Sequence, residues 1–244
     1  MDKLPKNVYP LHKGLVMFEK CRKQFSVIGL ALLAALLTSC SDDSTSAETD
    51  TFDASVVCPA NLRGTFVDER DGQVYKYTTI GNQVWMAENL KFDAPYSLCY
   101  DKIEGFCDTF GRFYSLLENG KDMGLFDQEL LDTICPAGWH VPSVDEWNVL
   151  MDNMGGGKNA AHRLMSSYDF GERYEPGTDD CEFNSLPAGC WLLDGTLTVS
   201  SFVTSSYWTS TSESMNFSYE VNMGFFGVKM EKNLPKVTIR CIKD

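Results

Sequence analysis

The 244-residue chain predicts an α+β domain, in which short strands come first, helices occupy the middle and strands return at the end. Three observations carry this prediction. Residues 73–80 are rich in Tyr, Thr and Val in the alternating pattern of a strand. A Ser-Glu capping pattern at Ser143 opens an amphipathic helix. The last third holds four strand-like stretches separated by Ser, Asn, Gly and Pro turns.

The opening strands are predicted to form an antiparallel meander. They occupy residues 64–68, 73–80 and 83–86. The Asp71-Gly72 pair just before the second strand is a hairpin signal, because these residues tolerate the positive φ that tight turns need.

The clearest predicted helix begins after Ser143, where the side chains of Ser143 and Glu146 can each satisfy a backbone group of the first turn. Apolar side chains then recur on one stripe, at Trp147, Leu150, Met151 and Met154. A glycine run at 155–157 ends the helix.

The remaining elements are shorter. Further helices are predicted at 112–118, 125–131 and 158–167. The late strands are predicted at 207–211, 217–221, 225–230 and 237–242. Residues 155–205 hold few regular patterns, and a long irregular region of this kind is where binding usually takes place.

Composition excludes several classes of protein. With 43% hydrophobic and 23% charged residues, the chain is globular rather than disordered or multi-spanning. A net charge of −13 gives no electrostatic footprint for nucleic acid. Residues 1–39 hold six basic and two acidic residues, so the rest of the chain carries −17 and would attract cations.

The N-terminal residues predict an exported lipoprotein. Basic residues precede thirteen apolar or small residues at 25–37, which are too few to span a membrane but suit a signal peptide. The string Leu37-Thr38-Ser39-Cys40 resembles a bacterial lipobox. Residues 1–39 are therefore a predicted signal peptide, with Met17 as an alternative start, and Cys40 is the predicted lipidation site. The alternative is an ordinary secretory signal followed by a buried free cysteine.

Residues 40–63 are predicted to be an acidic, flexible tether, since the part that follows Cys40 is polar and lacks apolar periodicity. Acidic residues directly after a lipidated cysteine resemble the surface-export signals of some Gram-negative lipoproteins. The expected location is therefore the outer membrane of a Gram-negative cell, through a lipid anchor and facing the cell surface. The alternative is that the acidic run is solvated spacer only.

Seven cysteines after Cys40 predict three disulfides and one unpaired thiol, because exported proteins fold in an oxidising compartment. The predicted pairs are Cys99 with Cys107, Cys181 with Cys190, and Cys135 with Cys241. Cys58, near the tether, is left unpaired. Zinc is the rival interpretation, but the chain has neither Cys-x-x-Cys nor His-x-x-x-His spacing.

Six strings along the chain resemble a known family in type and order. They are GNQVWMAENL (81–90), LCYDKIEGFCDTFGRFYS (98–115), CPAGWHVPSVDEWNVL (135–150), FNSLPAGC (183–190), SYWTSTSE (206–213) and IRCIKD (239–244). Together they resemble the Fibrobacter succinogenes major paralogous domain, a family of exported bacterial lipoproteins. The resemblance implies one domain over residues 64–244.

A more distant resemblance concerns the fold. The Gly-x-x-x-Pro-Ser-x-x-Glu-Trp string from Gly138 to Trp147, the later Trp208 and the Arg240-Cys241 pair are similar to features of C-type-lectin-like domains and formylglycine-generating enzymes. This implies a C-type-lectin-like α+β domain with small antiparallel sheets, two or three short helices and a long irregular loop region. In such domains a disulfide joins the helix region to the last strand, as Cys135–Cys241 would.

The sequence offers no catalytic constellation, so no enzyme and no cofactor are expected. An oxidase of the formylglycine-generating type needs two reactive cysteines on the late strands, where this chain has only Cys241. A lectin calcium site needs a third ligand where Gly177 stands. Asp179, Asp180 and Glu182 leave calcium open as an alternative.

Aromatic side chains in the irregular region are the candidate ligand-binding residues, because exposed rings stack on sugars. They are Trp191, Tyr174, Tyr168 and Phe202, and the alternative is that they pack in the core. Core positions are expected for Trp85, Trp139 and Trp147.

The expected function is binding or adhesion to an extracellular polysaccharide or protein. The alternative is a structural coat protein without a discrete ligand, and an enzyme is the third and least favoured class.

Overall fold

The central sheet has five antiparallel strands in the order β1-β2-β3-β10-β6. The computed structural model describes residues 51–95, 97–100, 104–115, 128–168, 176–189, 204–214, 217–224, 227–233 and 236–244. The five strands are β1 (Gly64–Val67), β2 (Val74–Ile80), β3 (Gln83–Met86), β6 (Trp139–His140) and β10 (Ile242–Lys243). The predicted meander is therefore confirmed, and the late strand β10 pairs with its last member, β3.

Two smaller sheets accompany the central one. Strands β4 (Ser97–Leu98) and β5 (Phe113–Tyr114) form a pair, and β7 (Thr204–Ser214), β8 (Phe217–Gly224) and β9 (Gly227–Asn233) form an antiparallel three-stranded sheet. The helices are α1 (Ala54–Val57), a 3₁₀ turn at Ala60–Leu62, α2 (Phe106–Phe110), α3 (Gln128–Thr133), α4 (Val144–Asn153) and α5 (Gly157–Leu164). The domain is thus an α+β domain with small antiparallel sheets, as predicted.

Helix α4 begins as its sequence predicts. The Ser143 hydroxyl accepts the Glu146 backbone N–H at 3.2 Å, and the Glu146 carboxylate accepts the Ser143 N–H at 2.7 Å. This reciprocal cap satisfies two backbone donors that would otherwise be unpaired. The predicted apolar stripe faces the interior, where Trp147, Leu150 and Met154 are fully buried.

The helix predicted at 112–118 is wrong where the structure describes it. Phe113–Tyr114 is strand β5, and the helix in this region is α2, which ends at Gly111. Gly111 has a φ of +78°, and a Cβ there would lie 2.6 Å from the Asn89 Cβ, so only glycine fits this exit. The Tyr114 N–H then bonds the Val237 carbonyl, and this long-range pairing decides for strand over helix.

The predicted strand at 237–242 is also shorter than expected. Val237 and Thr238 make single bridges, to Tyr114 and Tyr207, and only Ile242 and Lys243 enter a regular ladder. The segment contacts three different neighbours in succession, so no single partner strand continues along it.

The interior is built from aromatic side chains in two large clusters. Trp85 and Trp147 pack with ring centres 4.7 Å apart, and Tyr207 stacks on Trp147 at 5.2 Å. The second cluster contains Trp139 and Trp208. The expected core positions of Trp85, Trp139 and Trp147 are confirmed, with exposed fractions of 0%, 8% and 0%.

Three disulfides cross-link the domain. The predicted pairs Cys99–Cys107 and Cys135–Cys241 are confirmed. The predicted pair Cys181–Cys190 is wrong, because Cys181 bonds Cys58, which was expected to be unpaired. Cys190 lies outside the described residues. The Thr78 hydroxyl donates to the Cys181 carbonyl at 2.6 Å. This hydrogen bond holds Cys181 against strand β2, where Cys58 bonds it.

The Cys58–Cys181 bond attaches residue 58 to the domain, so the folded part of the chain begins before residue 64. Phe52, Ala54 and Val57 pack against the first core cluster, and the compact unit starts at Phe52. Residues 52–63, which the sequence analysis places in the flexible tether, therefore belong to the domain over the part that the structure describes. The segment holds several apolar residues, but they follow no helical or strand periodicity, so its sequence alone gives no sign that it packs in the core.

Arg240 is a fully buried arginine at the centre of the domain. Its guanidinium donates to the Asn89 side-chain oxygen and to the carbonyls of Phe183 and Asn184. It also lies 4.5 Å from the Phe183 ring centre and 5.4 Å from that of Tyr207. No carboxylate of the described part of the chain forms an ion pair with it, so neutral oxygens and ring faces hold this charge.

None of the helices over the described ranges has the length and apolar character needed to cross a membrane. The predicted signal peptide and Cys40 lie outside those ranges.

Candidate functional site

Of the four aromatic residues proposed to bind ligand, the structure describes Tyr168. Its side chain is 43% exposed, and its backbone N–H bonds the Ser166 hydroxyl at 3.3 Å. Trp191, Tyr174 and Phe202 lie outside the described residues. Tyr168 is therefore largely exposed, and the ligand-binding role of all four residues stays a prediction.

The irregular region is tightly packed where it is described. Backbone hydrogen bonds join residues 177–185 to the end of helix α5, among them Thr178 N–H to the His162 carbonyl at 2.9 Å and Ser185 N–H to the Leu164 carbonyl at 2.9 Å. A Cβ on Gly177 would lie 2.2 Å from the Met165 carbonyl oxygen, so the chain passes there only as glycine. Residues 176–189 form a wall of the core rather than an open loop.

The acidic residues of this wall have separate protein partners. Glu182 pairs with Arg63 at 2.6 Å, Asp180 lies 3.7 Å from Arg163, and Asp179 accepts the Asn184 N–H at 2.7 Å. Burial raises the pKa of Asp179 to about 6, against the lowering effects of the Asn184 bond and of Arg240. Within the described ranges, no three His, Cys, Asp or Glu side chains converge in a way that could hold a metal ion.

A second polar cluster surrounds His140, at the edge of the central sheet. The His140 Nδ1 lies 2.7 Å from the Asp244 carboxylate, and its Nε2 lies 2.9 Å from the Glu146 carboxylate. The Ser143 hydroxyl bonds Glu146 rather than the imidazole. A serine nucleophile needs direct contact with its base, so this geometry is that of an ionic clamp between β6, β10 and α4 rather than a hydrolase triad.

The clamp sets the protonation of its members. Partial burial would lower the pKa of His140, but the hydrogen bonds and charges of Asp244 and Glu146 outweigh burial and raise it above its ordinary value of 6.5. For Glu146, burial acts to raise the pKa, and the bonds from Ser143 and His140 hold it below its ordinary value of 4.5. His140 and Glu146 are therefore both charged between pH 4.5 and pH 6.5.

We expect the clamp to make stability depend on pH. Because the folded-state pKa of His140 is raised, its contribution is complete below pH 6.5 and is lost as pH rises through the folded-state value. Glu146 has the opposite sign, and its contribution is lost as pH falls through its lowered pKa. The difference in unfolding free energy between wild type and His140→Gln should therefore be larger at pH 6 than at pH 9, measured by urea denaturation.

The exposed His162→Gln is the matched control, since it also removes one imidazole. Equal differences for His140→Gln at the two pH values would contradict the clamp.

An open groove of about 400 Å³ lies between residues 92–95 and helix α3. Its described lining is mainly apolar, and the seven lining residues that the structure describes are Phe92, Ala94, Pro95, Glu129, Leu130, Thr133 and Ile134. A concave, mainly apolar surface with a few polar groups is the usual form of a ligand site. We take the groove, with these seven lining residues, as the candidate functional site.

Arg70 holds the floor of the groove in place. Its guanidinium lies 3.9 Å from the Phe92 ring centre and donates to the carbonyls of Thr133 and Ile134 at 3.0 and 2.9 Å. Its remaining donors pair with the buried Asp68 carboxylate, at 2.9 and 2.7 Å. Both sides of the groove are thus attached to one guanidinium, which pre-organises the site for a ligand.

No local sequence pattern predicts this site. The helix predicted at 125–131 overlaps the observed Gln128–Thr133, but nothing local connects that helix to Phe92. The connection passes through Arg70, which directly precedes the predicted hairpin turn at Asp71-Gly72. An arginine in a hairpin turn gives no sequence signal for the two segments that it joins.

Comparison with known proteins gives one match. The family model described as Fibrobacter succinogenes major domain matches residues 78–243, from β2 to β10, which is more than half of the chain. No curated protein and no solved structure matches the chain.

Proposed function

The chain belongs to the Fibrobacter succinogenes major domain family, and from that premise we propose that it is a lipid-anchored binding domain on the surface of a Gram-negative cell, where it recognises an extracellular polysaccharide. Lipidation at Cys40 and display at the outer membrane are parts of this proposal. Three disulfides support export, because such bonds persist in oxidising compartments.

The proposed fold is C-type-lectin-like. Helix α4 follows the Pro142-Ser143 pair, and Cys135–Cys241 joins the helical region to the end of the chain, as in lectin-like domains. The late strand β10 pairs with the opening meander, so both ends of the domain meet in one sheet. A domain whose two ends pair in one sheet has a rigid core, which suits a protein that binds its ligand at the surface.

The binding role rests on one observation, the pre-organised groove beside helix α3. Its floor is fixed by Arg70, and Phe92, Pro95 and Leu130 are its apolar lining residues that reach solvent. A coat protein without a discrete ligand has no need for a fixed concave surface, whereas a binding domain does.

The test uses the full chain, expressed with its own signal in a Gram-negative host and extracted in mild detergent. We expect saturable binding to at least one of insoluble cellulose, xylan and chitin, measured by pull-down with calcium and with a chelator. The peptide that begins at Cys40 should carry diacylglycerol by mass spectrometry. Absence of saturable binding throughout would contradict the proposal, and self-association of the protein would then favour the coat role.

A further inference from the structure

We infer that the groove beside helix α3 binds a neutral saccharide, with Phe92 packed against the apolar face of a sugar ring and Glu129 accepting hydrogen bonds from sugar hydroxyls. The inference rests on the proposed function, and it adds the place of binding, the ligand class and the residues responsible.

The lining of the groove matches the two-sided chemistry of a sugar ring. Five of its seven residues are apolar, and Ala94 and Ile134 are almost fully buried beneath the surface. A pyranose presents C–H groups on its faces and hydroxyls around its edge. Arg70 covers one face of the Phe92 ring, so a sugar face can pack against the part of Phe92 that lines the groove, while the hydroxyls need acceptors at the rim.

Glu129 supplies such an acceptor. It lies in the first turn of α3 and is exposed, and its carboxylate makes no hydrogen bond or ion pair within the described part of the chain. Asp132, three residues further along the same helix, accepts a bond from Gln128 at 2.7 Å and does not line the groove. A carboxylate is an acceptor only, so Glu129 can accept hydrogen bonds from sugar hydroxyls that reach the rim of the groove.

Charge decides between neutral and acidic sugars. None of the seven lining residues is Lys or Arg. Arg70, which contacts Phe92, already directs its donors to Asp68 and to the carbonyls at the end of α3. A uronate or sulfate would therefore meet the Glu129 carboxylate with no Lys or Arg among the described lining residues to pair with, on a domain whose net charge after residue 39 is −17. Among saccharides, the groove therefore favours an uncharged one.

The experiment measures binding of the full chain to neutral glycans, represented by cellulose and xylan, and to acidic polygalacturonate. Phe92→Ala should weaken binding of a neutral glycan by about 10-fold, since an aromatic contact and its buried area are lost. Glu129→Gln should weaken it by roughly 5-fold, because a neutral acceptor replaces a charged one. Asp132→Asn on the same helix is the matched control and should bind as wild type does. Binding of the neutral glycan should not change between low and high salt.

Phe92 is half-buried, so each variant is first compared with wild type by thermal unfolding, and the exposed Glu129 keeps the test independent of folding. Wild-type binding to a neutral glycan that neither Phe92→Ala nor Glu129→Gln weakens would overturn the inference and leave the proposed function standing. Equal binding to polygalacturonate would overturn the ligand class. Failure of the wild type to bind any glycan would overturn the proposed function, and the inference with it.

Discussion

Replacing Arg240 by alanine should lower the free energy of unfolding by about 4 kcal/mol, a large fraction of the stability of an ordinary domain. The guanidinium bonds the Asn89 side chain and two backbone carbonyls, of Phe183 and Asn184. Without it these acceptors lose their donor in the interior, and each buried unsatisfied group costs about 1–3 kcal/mol. The truncation also leaves a cavity between the Phe183 and Tyr207 rings.

Urea denaturation of the wild type and of Arg240→Ala measures this loss of unfolding free energy. Arg112→Ala is the matched control, because Arg112, whose side chain is 17% exposed, bonds the Ser97 hydroxyl and pairs with Asp93, whose side chain is 77% exposed. Exposed ion pairs contribute about 1 kcal/mol or less. Equal losses for the two variants would contradict the view that the buried guanidinium organises the centre of the domain. Arg240→Lys should also be strongly destabilised, because an ammonium cannot reach the three acceptors in the same plane.

The parts of the fold that could be predicted are those governed by neighbouring residues. The capping box at Ser143 and the stripe that includes Trp147 are local patterns, so helix α4 follows from the sequence. The aromatic pair at Phe113–Tyr114 fits a helix face and a strand equally well. Its conformation depends on Val237, more than a hundred residues away, which no local pattern reports.

The candidate site was harder to predict for the same reason. Phe92 and Leu130 lie on separate segments, and they line one groove because Arg70 contacts both segments. Cysteine pairing was likewise open, because connectivity cannot be deduced from spacing alone. Cys190 is closer in sequence to Cys181, but Cys58 is the residue that bonds it. In each case a contact between residues far apart in sequence determines the outcome, and only the folded chain contains that contact.

Removal of the Cys58–Cys181 disulfide should lower the free energy of unfolding by about 5 kcal/mol, the largest loss that we expect. Its two cysteines are 123 residues apart, so the bond excludes many conformations from the unfolded chain. The Cys99–Cys107 pair, 8 residues apart, is the matched control, and its removal should cost about 2.5 kcal/mol on the same reasoning. Both double variants, Cys58→Ala with Cys181→Ala and Cys99→Ala with Cys107→Ala, are measured by urea denaturation.

Removal of the Cys58–Cys181 disulfide should also free one segment of the chain, whereas removal of Cys99–Cys107 should not. Helix α1 and Phe52 contact the core on the side of the Cys58–Cys181 bond, where Phe52 stacks with Arg163 at 4.0 Å and the Gly81 N–H bonds the Val57 carbonyl at 2.7 Å. Without the disulfide, non-covalent contacts alone hold the segment before residue 58, so it should become sensitive to limited proteolysis while the rest of the domain resists. Equal losses for the two disulfides would contradict the loop-length argument. Continued protection of the segment would mean that packing, rather than the covalent bond, joins residues 52–57 to the domain.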